Sequence, residues 1–396
     1  MPLRQRLAEL RGPAALPKPL DARALAALAA NPGCRRRALL DGAGIDKSVL
    51  ATALGSPSGF GQSQFAFVRG NAFEARVKAD GGAELLRLVY ERVGGGPEAV
   101  PGAVATPDLA AVGPEGRAAR TALALKEASE AGGWALLDHP MLALDVAGSV
   151  AFLEPDAVVV HPDGHWTVIE IKSFPMIDGS ADAAKVGAAA RQAAVYALAL
   201  ERVAERVAEQ AAGTPAAPLA TPPPPPLPRV RHRVLLVCPK DFSNLPTASV
   251  VDVRKQLSVT RRQLARLTRI EDIAAALPPG TTFDPERPAE ELTAAVESVP
   301  AAYAPECLAA CELAFHCRAR AREEGAVTLL GRSVRGELGE LTTVAGVLAA
   351  ACEASGDRDE LAELDDPTVH ALRRAAVLRA EALGAEALGE VAGVCR

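Results

Sequence analysis

Apolar positions along this chain change period twice, and the changes divide it into helical and extended regions. Behind an N-terminal arm punctuated by Pro and Arg, a short helix is predicted from Asp21 to the stop at Asn31-Pro32-Gly33. Gly and Ser dominate from Pro57 to Gln64, which predicts a loop. Phe73, Val77, Leu85-Leu86 and Val89 mark a helical region from Gly70, broken at Gly81-Gly82 and ended by Gly94-Gly95-Gly96-Pro97. A further helix from Pro114 to Glu130 carries Leu123 and Leu125 and closes at Gly132-Gly133.

The pattern then shortens. Trp134 to Leu137, Val150 to Val160 and Trp166 to Ile171 are runs of large aliphatic residues and read as strands, with Pro162-Asp163-Gly164 as a hairpin turn between the last two. Ala183 to Ala211 is a long Ala-rich helix. Thr214 to Pro228, with the unbroken run Pro222 to Pro226, predicts an extended polyproline-type surface connection. Val234 to Val237 is a buried type of strand, Val253 to Leu267 a basic helix, and helices resume from Leu329 with breaks at Gly356 and Pro367. Helices, three strands, a long helix, a strand and a helix make an α/β core with helical additions at both ends.

Composition narrows the class. Of 396 residues, 49% are apolar but only 4% aromatic, so a core of Ala, Leu and Val is available and a wholly disordered chain is excluded. A net charge of −6 excludes a uniformly basic coat, so a nucleic-acid partner needs a local patch. The most signal-like stretch, Ala24 to Ala30, is too short for a secretory segment, and a membrane span needs roughly 20 apolar residues. A soluble, cytoplasmic protein without a membrane partner is expected. Seven cysteines, an odd and scattered set, do not read as a disulfide framework; reduced thiols, some on a metal, fit better.

The chemistry concentrates around the predicted hairpin. Its first strand bears Pro155-Asp156 and its second ends in Glu170-Ile171-Lys172. Alternation in an extended chain puts Glu170 and Lys172 on one face and turns Ile171 to the other, and the hairpin brings Asp156 beside them. Two adjacent carboxylates call for a cation, and hard oxygen ligands select Mg²⁺ or Mn²⁺. A solvated Glu170/Lys172 pair on a surface hairpin is the plainer reading. The Val, Ile and Leu around both carboxylates favour burial, where unpaired charge is expensive.

Pro155-Asp156 followed by Glu170-Ile171-Lys172 resembles the PD-(D/E)XK nuclease superfamily. Gln192-Ala193-Ala194-Val195-Tyr196 on the following helix is similar to the Q-x-x-x-Y motif of its RecB-like branch, and Gly70 to Glu74 to that branch's G-x-x-x-H/E motif. The resemblance implies a restriction-endonuclease-like core, a mixed central sheet flanked by helices. It implies a metal held by Asp156, Glu170, the Ile171 carbonyl and Glu74, catalysis by Lys172, and support from Gln192 and Tyr196.

Cys307, Cys311 and Cys317 lie in one short segment, and three such thiolates need a fourth ligand. Their placement resembles the [4Fe-4S] staple of several RecB-like nucleases, in which Cys34 takes the place of the early ligand. The spacing C-x3-C-x5-C departs from the family's C-x2-C-x5-C by one residue, and zinc with His316 is the competing set. Cys238 and Cys352 read as core thiols, and Cys395 as an idle tail residue.

Between Arg229 and Arg269 stand ten Lys and Arg against Asp241 and Asp252, a local charge of about +8 suited to phosphate contacts. Gly42 to Ser48 has a phosphate-loop look, but Asp46 before Lys47 would repel a phosphate. Asp138-His139 lies just ahead of the hairpin, within reach of the site in one reading and a turn histidine before Pro140 in the plainer one.

Together these readings predict a RecB-like nuclease domain over 1–330, with a Pro-rich loop at 212–229 and the cysteine cluster at 307–317, and a helical extension over 331–396. The expected activity is metal-dependent hydrolysis of DNA, as an exonuclease on single-stranded ends, in repair, recombination or antiviral defence. A helicase or other DNA-processing protein is the expected partner. The alternative is a non-cleaving DNA-binding scaffold of the same fold.

Overall fold

The computed structural model describes residues 2–57, 64–99, 102–212, 229–352 and 366–383. The chain divides into two compact units. The first comprises Met1–Asp46 and Phe60–Val299, the second Lys47–Gly59 and Pro300–Arg396. No described helix is long and apolar enough to cross a membrane.

The first unit is mixed α/β. Its strands are β1 (Ala135–Asp138), β2 (Leu142–Val146), β3 (Ser149–Leu153), β4 (Ala157–Val160), β5 (His165–Ile171), β6 (Arg229–Val230), β7 (Arg233–Pro239) and β8 (Pro246–Asp252). The main sheet runs β1-β4-β5-β7-β8, with β6 also beside β5; β2 and β3 form a separate hairpin. Pairing is antiparallel except between β5 and its neighbours β6 and β7. That parallel step needs a crossover, and the helix Ala183–Ala212 supplies it.

Burial explains the central strands. Every residue of β4 is buried, and in β5 only His165 is not, as expected of strands covered on both faces. On one face Ile169, Ile171, Leu235 and Val237 pack with Phe73, Val77, Leu85 and Val89 of the helices Gln64–Val77 and Ala79–Arg92. On the other, Leu236 and Cys238 pack with Ala189 of the crossover helix. The period of two therefore assigns Glu170 to the crossover-helix face. The predicted break at Gly81-Gly82 is real: both have positive φ, and a Cβ on Gly82 would stand 2.4 Å from Leu136 Cδ2.

The structure corrects several expectations. The run Val150 to Val160 is two strands, because Glu154-Pro155-Asp156 interrupts it and Pro155 has no ladder donor. The N-terminal arm contains a helix, Leu3–Arg11, with Leu3, Leu7 and Leu10 on one face. Strands β2 and β8 were not legible: β2 is only five residues long, and β8 is an edge strand whose half-buried pattern lacks a continuous apolar run. Residues on either side of 331 lie in the second unit, where Val327 N donates to Thr342 O (3.0 Å) and Val344 N to Gly325 O (2.7 Å). The proline run, Gly356 and Cys395 lie outside the described residues, as do residues 58–63 of the Gly/Ser loop.

Candidate active site

Asp156 and Glu170 meet at the open end of the β4–β5 hairpin. Ladder pairing ends at Ala157 opposite Ile169, and Asp156 sits one residue before β4 rather than within it. Released from the ladder, its Oδ2 accepts the Ile171 N–H at 2.6 Å. Lys172 N turns the opposite way and donates to Val237 O at 2.9 Å. A strand residue points its N–H and C=O to the same side, so the Ile171 carbonyl also lies on the Asp156 side.

Glu170 is only 1% exposed, and neither carboxylate oxygen has a well-formed hydrogen bond among the described residues. An ion pair with Lys172 offsets its charge in part. Burial pushes the Glu170 pKa up to about 7, against the pull of Lys172. Burial also raises Asp156, outweighing Lys172 and the Ile171 N–H. Burial acts to lower Lys172, but Glu170 and Asp156 outweigh it and hold the ammonium charged. Two carboxylates thus share one lysine, and Glu170 keeps acceptor capacity that no described residue fills. That donor set suits a hard divalent cation.

Glu74 and Lys78 reach the same place from the helix Gln64–Val77 and the residue after it. Buried Phe73 and Val77 anchor that helix, and the four-residue spacing sets Glu74 and Lys78 along one edge. Glu74 was expected to be a metal ligand; here it is engaged otherwise. Its Oε1 lies 2.5 Å from Lys78 Nζ and 3.0 Å from His139 Nε2. The His139 hydrogen bond, aided by Lys78 and opposed by burial, lowers the Glu74 pKa to about 2. Glu74 in turn raises His139, against its burial.

The pairing of β1 with β4, with Asp138 opposite Ala157, carries Asp138 and His139 to this site. His139 is indeed the turn residue before Pro140, with φ +44°, yet the turn delivers its ring to Glu74. Lys78 and Arg117 were missed by the sequence reading, since neither belongs to a spaced motif. Arg117 Nη2 donates to His139 O (3.0 Å) and lies 3.1 Å from Glu154 Oε1.

Gln192 and Tyr196 sit together on the crossover helix. Gln192 Nε2 donates to Tyr196 Oη at 3.0 Å, and Tyr196 Oη donates to Glu154 O at 3.2 Å. Their hydrogen bonds hold the main chain at Glu154, just ahead of Asp156, and Tyr196 feels the Glu170 charge without a hydrogen bond to it. Burial raises the Tyr196 pKa, so it stays a neutral donor. Among the described residues no group of three or more His, Cys, Asp or Glu is placed to hold a metal ion as it stands; Glu74, Asp138 and His139 converge on the Lys78 ammonium instead.

Cys34 belongs to the first unit, as the residue before the helix Arg35–Gly42. Cys307, Cys311 and Cys317 belong to the second unit and are half-buried, within one short run of 3-10 and α-helix where Cys311 N donates to Cys307 O at 2.8 Å. Cys238 is a core thiol, its pKa raised by burial to about 12. Cys352 is not a core thiol: it is half-buried and disulfide-bonded.

The basic stretch is less concentrated than its count implies. Arg231 pairs with Asp163 at 2.6 Å, Arg254 with Asp252, Arg261 with Glu201 and Arg269 with Glu271. Three of those four acids lie outside the stretch. Arg233 opens a seven-residue strand and Lys240 follows its last residue, so the two stand about 20 Å apart.

Comparison with protein-family models, with curated proteins and with solved structures finds no match for this chain.

Proposed function

We propose that this chain is a divalent-metal-dependent nuclease of the PD-(D/E)XK type, hydrolysing phosphodiester bonds in DNA. The observation that carries the reading is Glu170, a buried carboxylate that has an ion pair with Lys172 but no well-formed hydrogen bond among the described residues, one hairpin rung from Asp156. Lys172 offsets that charge only in part, and burying two carboxylates beside one lysine is costly.

In this reading Asp156, Glu170 and the Ile171 carbonyl hold Mg²⁺ or Mn²⁺. The ion supplies Lewis acidity and neutralises phosphate charge. Lys172, kept charged by both carboxylates, orients the attacking water and stabilises charge growing on the phosphate oxygens. The Ile171 N–H fixes the Asp156 carboxylate, while Tyr196 and Gln192 hold the main chain preceding it. The bond formed is water oxygen to phosphorus and the bond broken is phosphorus to a bridging ester oxygen.

Single-stranded DNA is the favoured substrate. Phe242 is 88% exposed on the β7–β8 turn, where a base could stack on it. That turn is tied to the segment following Lys172: Met176 N donates to Pro239 O (2.8 Å) and Asp241 N to Met176 O (2.9 Å). Cys34, Cys307, Cys311 and Cys317 are the proposed holders of a [4Fe-4S] cluster, with zinc as the alternative. The setting proposed is cytoplasmic DNA repair, recombination or antiviral defence, beside a helicase or similar partner.

One observation favours the second reading, a non-cleaving scaffold: Glu74 is committed to Lys78 and His139 rather than open to a metal. Cleavage of end-labelled single-stranded DNA in Mn²⁺ or EDTA, wild type beside Lys172→Ala, separates the two. Metal-dependent cleavage lost in Lys172→Ala supports the nuclease. A folded, DNA-binding wild type that cleaves nothing supports the scaffold.

A further inference from the structure

Lys78 occupies an unusual position for a lysine. Its Nζ lies 2.5 Å from Glu74 Oε1, 2.6 Å from Asp138 Oδ1, 2.7 Å from Asp156 O and 3.0 Å from His139 Nε2. An ammonium has three protons to give, yet four acceptor groups from three separate chain segments surround this one. Its side chain is only 13% exposed, although Asp138 and His139 leave one side open to solvent. Two carboxylates, a main-chain carbonyl and an imidazole are also the ligand types of a hard-to-borderline divalent ion such as Mn²⁺.

The position is contiguous with the candidate active site. Asp156 is the shared residue: its carbonyl accepts from Lys78, and its carboxylate faces Ile171 and the charge of Lys172.

We infer that the Lys78 ammonium is a built-in cation filling a second ion site made by Glu74, Asp138, His139 and the Asp156 carbonyl. The chain therefore takes one divalent ion, at Asp156 and Glu170, where its ligands would otherwise hold two. That first ion rests on the function proposed above; the second site rests on the Lys78 geometry alone. A fixed ammonium there supplies positive charge to a bound phosphate without depending on metal supply, and it keeps the acids of three segments from repelling one another.

The test is the number of Mn²⁺ ions bound per full-length chain, counted by electron paramagnetic resonance of the unbound ion. Mn²⁺ suits the count because thiolates take it up poorly. Lys78→Ala is expected to bind one more Mn²⁺ than wild type, and Glu74→Gln added to Lys78→Ala should abolish that extra ion. The melting temperature of Lys78→Ala should also rise with Mn²⁺ more than that of wild type. Equal counts in wild type and Lys78→Ala would overturn the inference, as would two ions in wild type. If Lys78→Ala is unfolded in EDTA, Mn²⁺ should refold it by restoring the missing charge, and a chain that stays unfolded in millimolar Mn²⁺ counts equally against the idea. A wild-type count of zero removes the first ion and the nuclease reading with it, while the difference between the two proteins still decides this one.

Discussion

Ile171 gives its main-chain N–H to the Asp156 carboxylate at 2.6 Å, across the end of the hairpin where ladder pairing has stopped. A side chain has replaced a main-chain acceptor at the last rung, and this leaves Asp156 fixed between the two residues that flank Ile171. The other hydrogen bonds of the site follow from that substitution. Glu154 lies between strands and gives its carbonyl to Tyr196, while the Asp156 carbonyl accepts both the His139 N–H at 3.3 Å and the Lys78 ammonium.

Removing Lys172 separates chemistry from binding. Lys172→Ala is expected to lower the cleavage rate by about 100- to 1,000-fold, the usual cost of losing one group aimed at developing charge. Affinity for single-stranded DNA in Ca²⁺ should stay near the wild-type value. A rate within a few-fold of wild type, measured on labelled oligonucleotide, would remove Lys172 from the mechanism.

Glu170 and His161 predict opposing pH slopes in metal-free protein. Glu170 is raised to about 7 by burial, so the folded state binds its proton more tightly and stability falls as pH rises from about 4.5 to about 7. Asp156, raised for the same reason, adds to that slope. His161 is lowered to about 4, chiefly by burial and then by Arg231, so the unfolded state binds its proton more tightly. Its contribution is present above about 6.5 and is lost as pH falls toward about 4. The two oppose each other in wild type. Melting curves in EDTA should show Glu170→Gln gaining stability with rising pH across this window and His161→Gln losing it. Parallel curves for both variants would contradict these assignments.

Tyr196 is a positioning residue. Tyr196→Phe removes the hydrogen bond to Glu154 O and strands the Gln192 amide, at a cost of about 1 kcal/mol in chemical unfolding. Turnover should fall while the Michaelis constant for DNA holds, because the main chain leading into Asp156 loosens without touching substrate. A change in the Michaelis constant alone would place Tyr196 on the substrate instead.

Phe242→Ala tests the approach of the strand. Stacking of one base is worth about 1–3 kcal/mol, so affinity for single-stranded DNA should drop by about 5- to 150-fold. Duplex affinity and the melting temperature should barely move, since the ring is exposed. Equal losses on both substrates in a fluorescence-anisotropy titration would argue against stacking.

Local pattern determined much of this protein by itself. The strand runs at Leu136, Val159 and Ile169, the break at Gly81-Gly82 and the long helix behind Gln192 and Tyr196 were all legible, because burial and backbone conformation impose short-range periods on sequence. So was the meeting of Asp156 with Glu170 and Lys172, since a hairpin is a local contact. The sequence could not assign Glu74 to Lys78 and His139, or bring Arg117 to Glu154. Those meetings depend on β1 pairing with β4 and on where three helices pack, contacts between residues far apart in the chain that carry no fixed spacing. The same holds for charge. Ten basic residues count as one patch along the chain, but only the fold decided that Asp163 and Glu201 would neutralise two of them. A charge is read by its distance in space, and sequence fixes that distance only where the chain is locally regular.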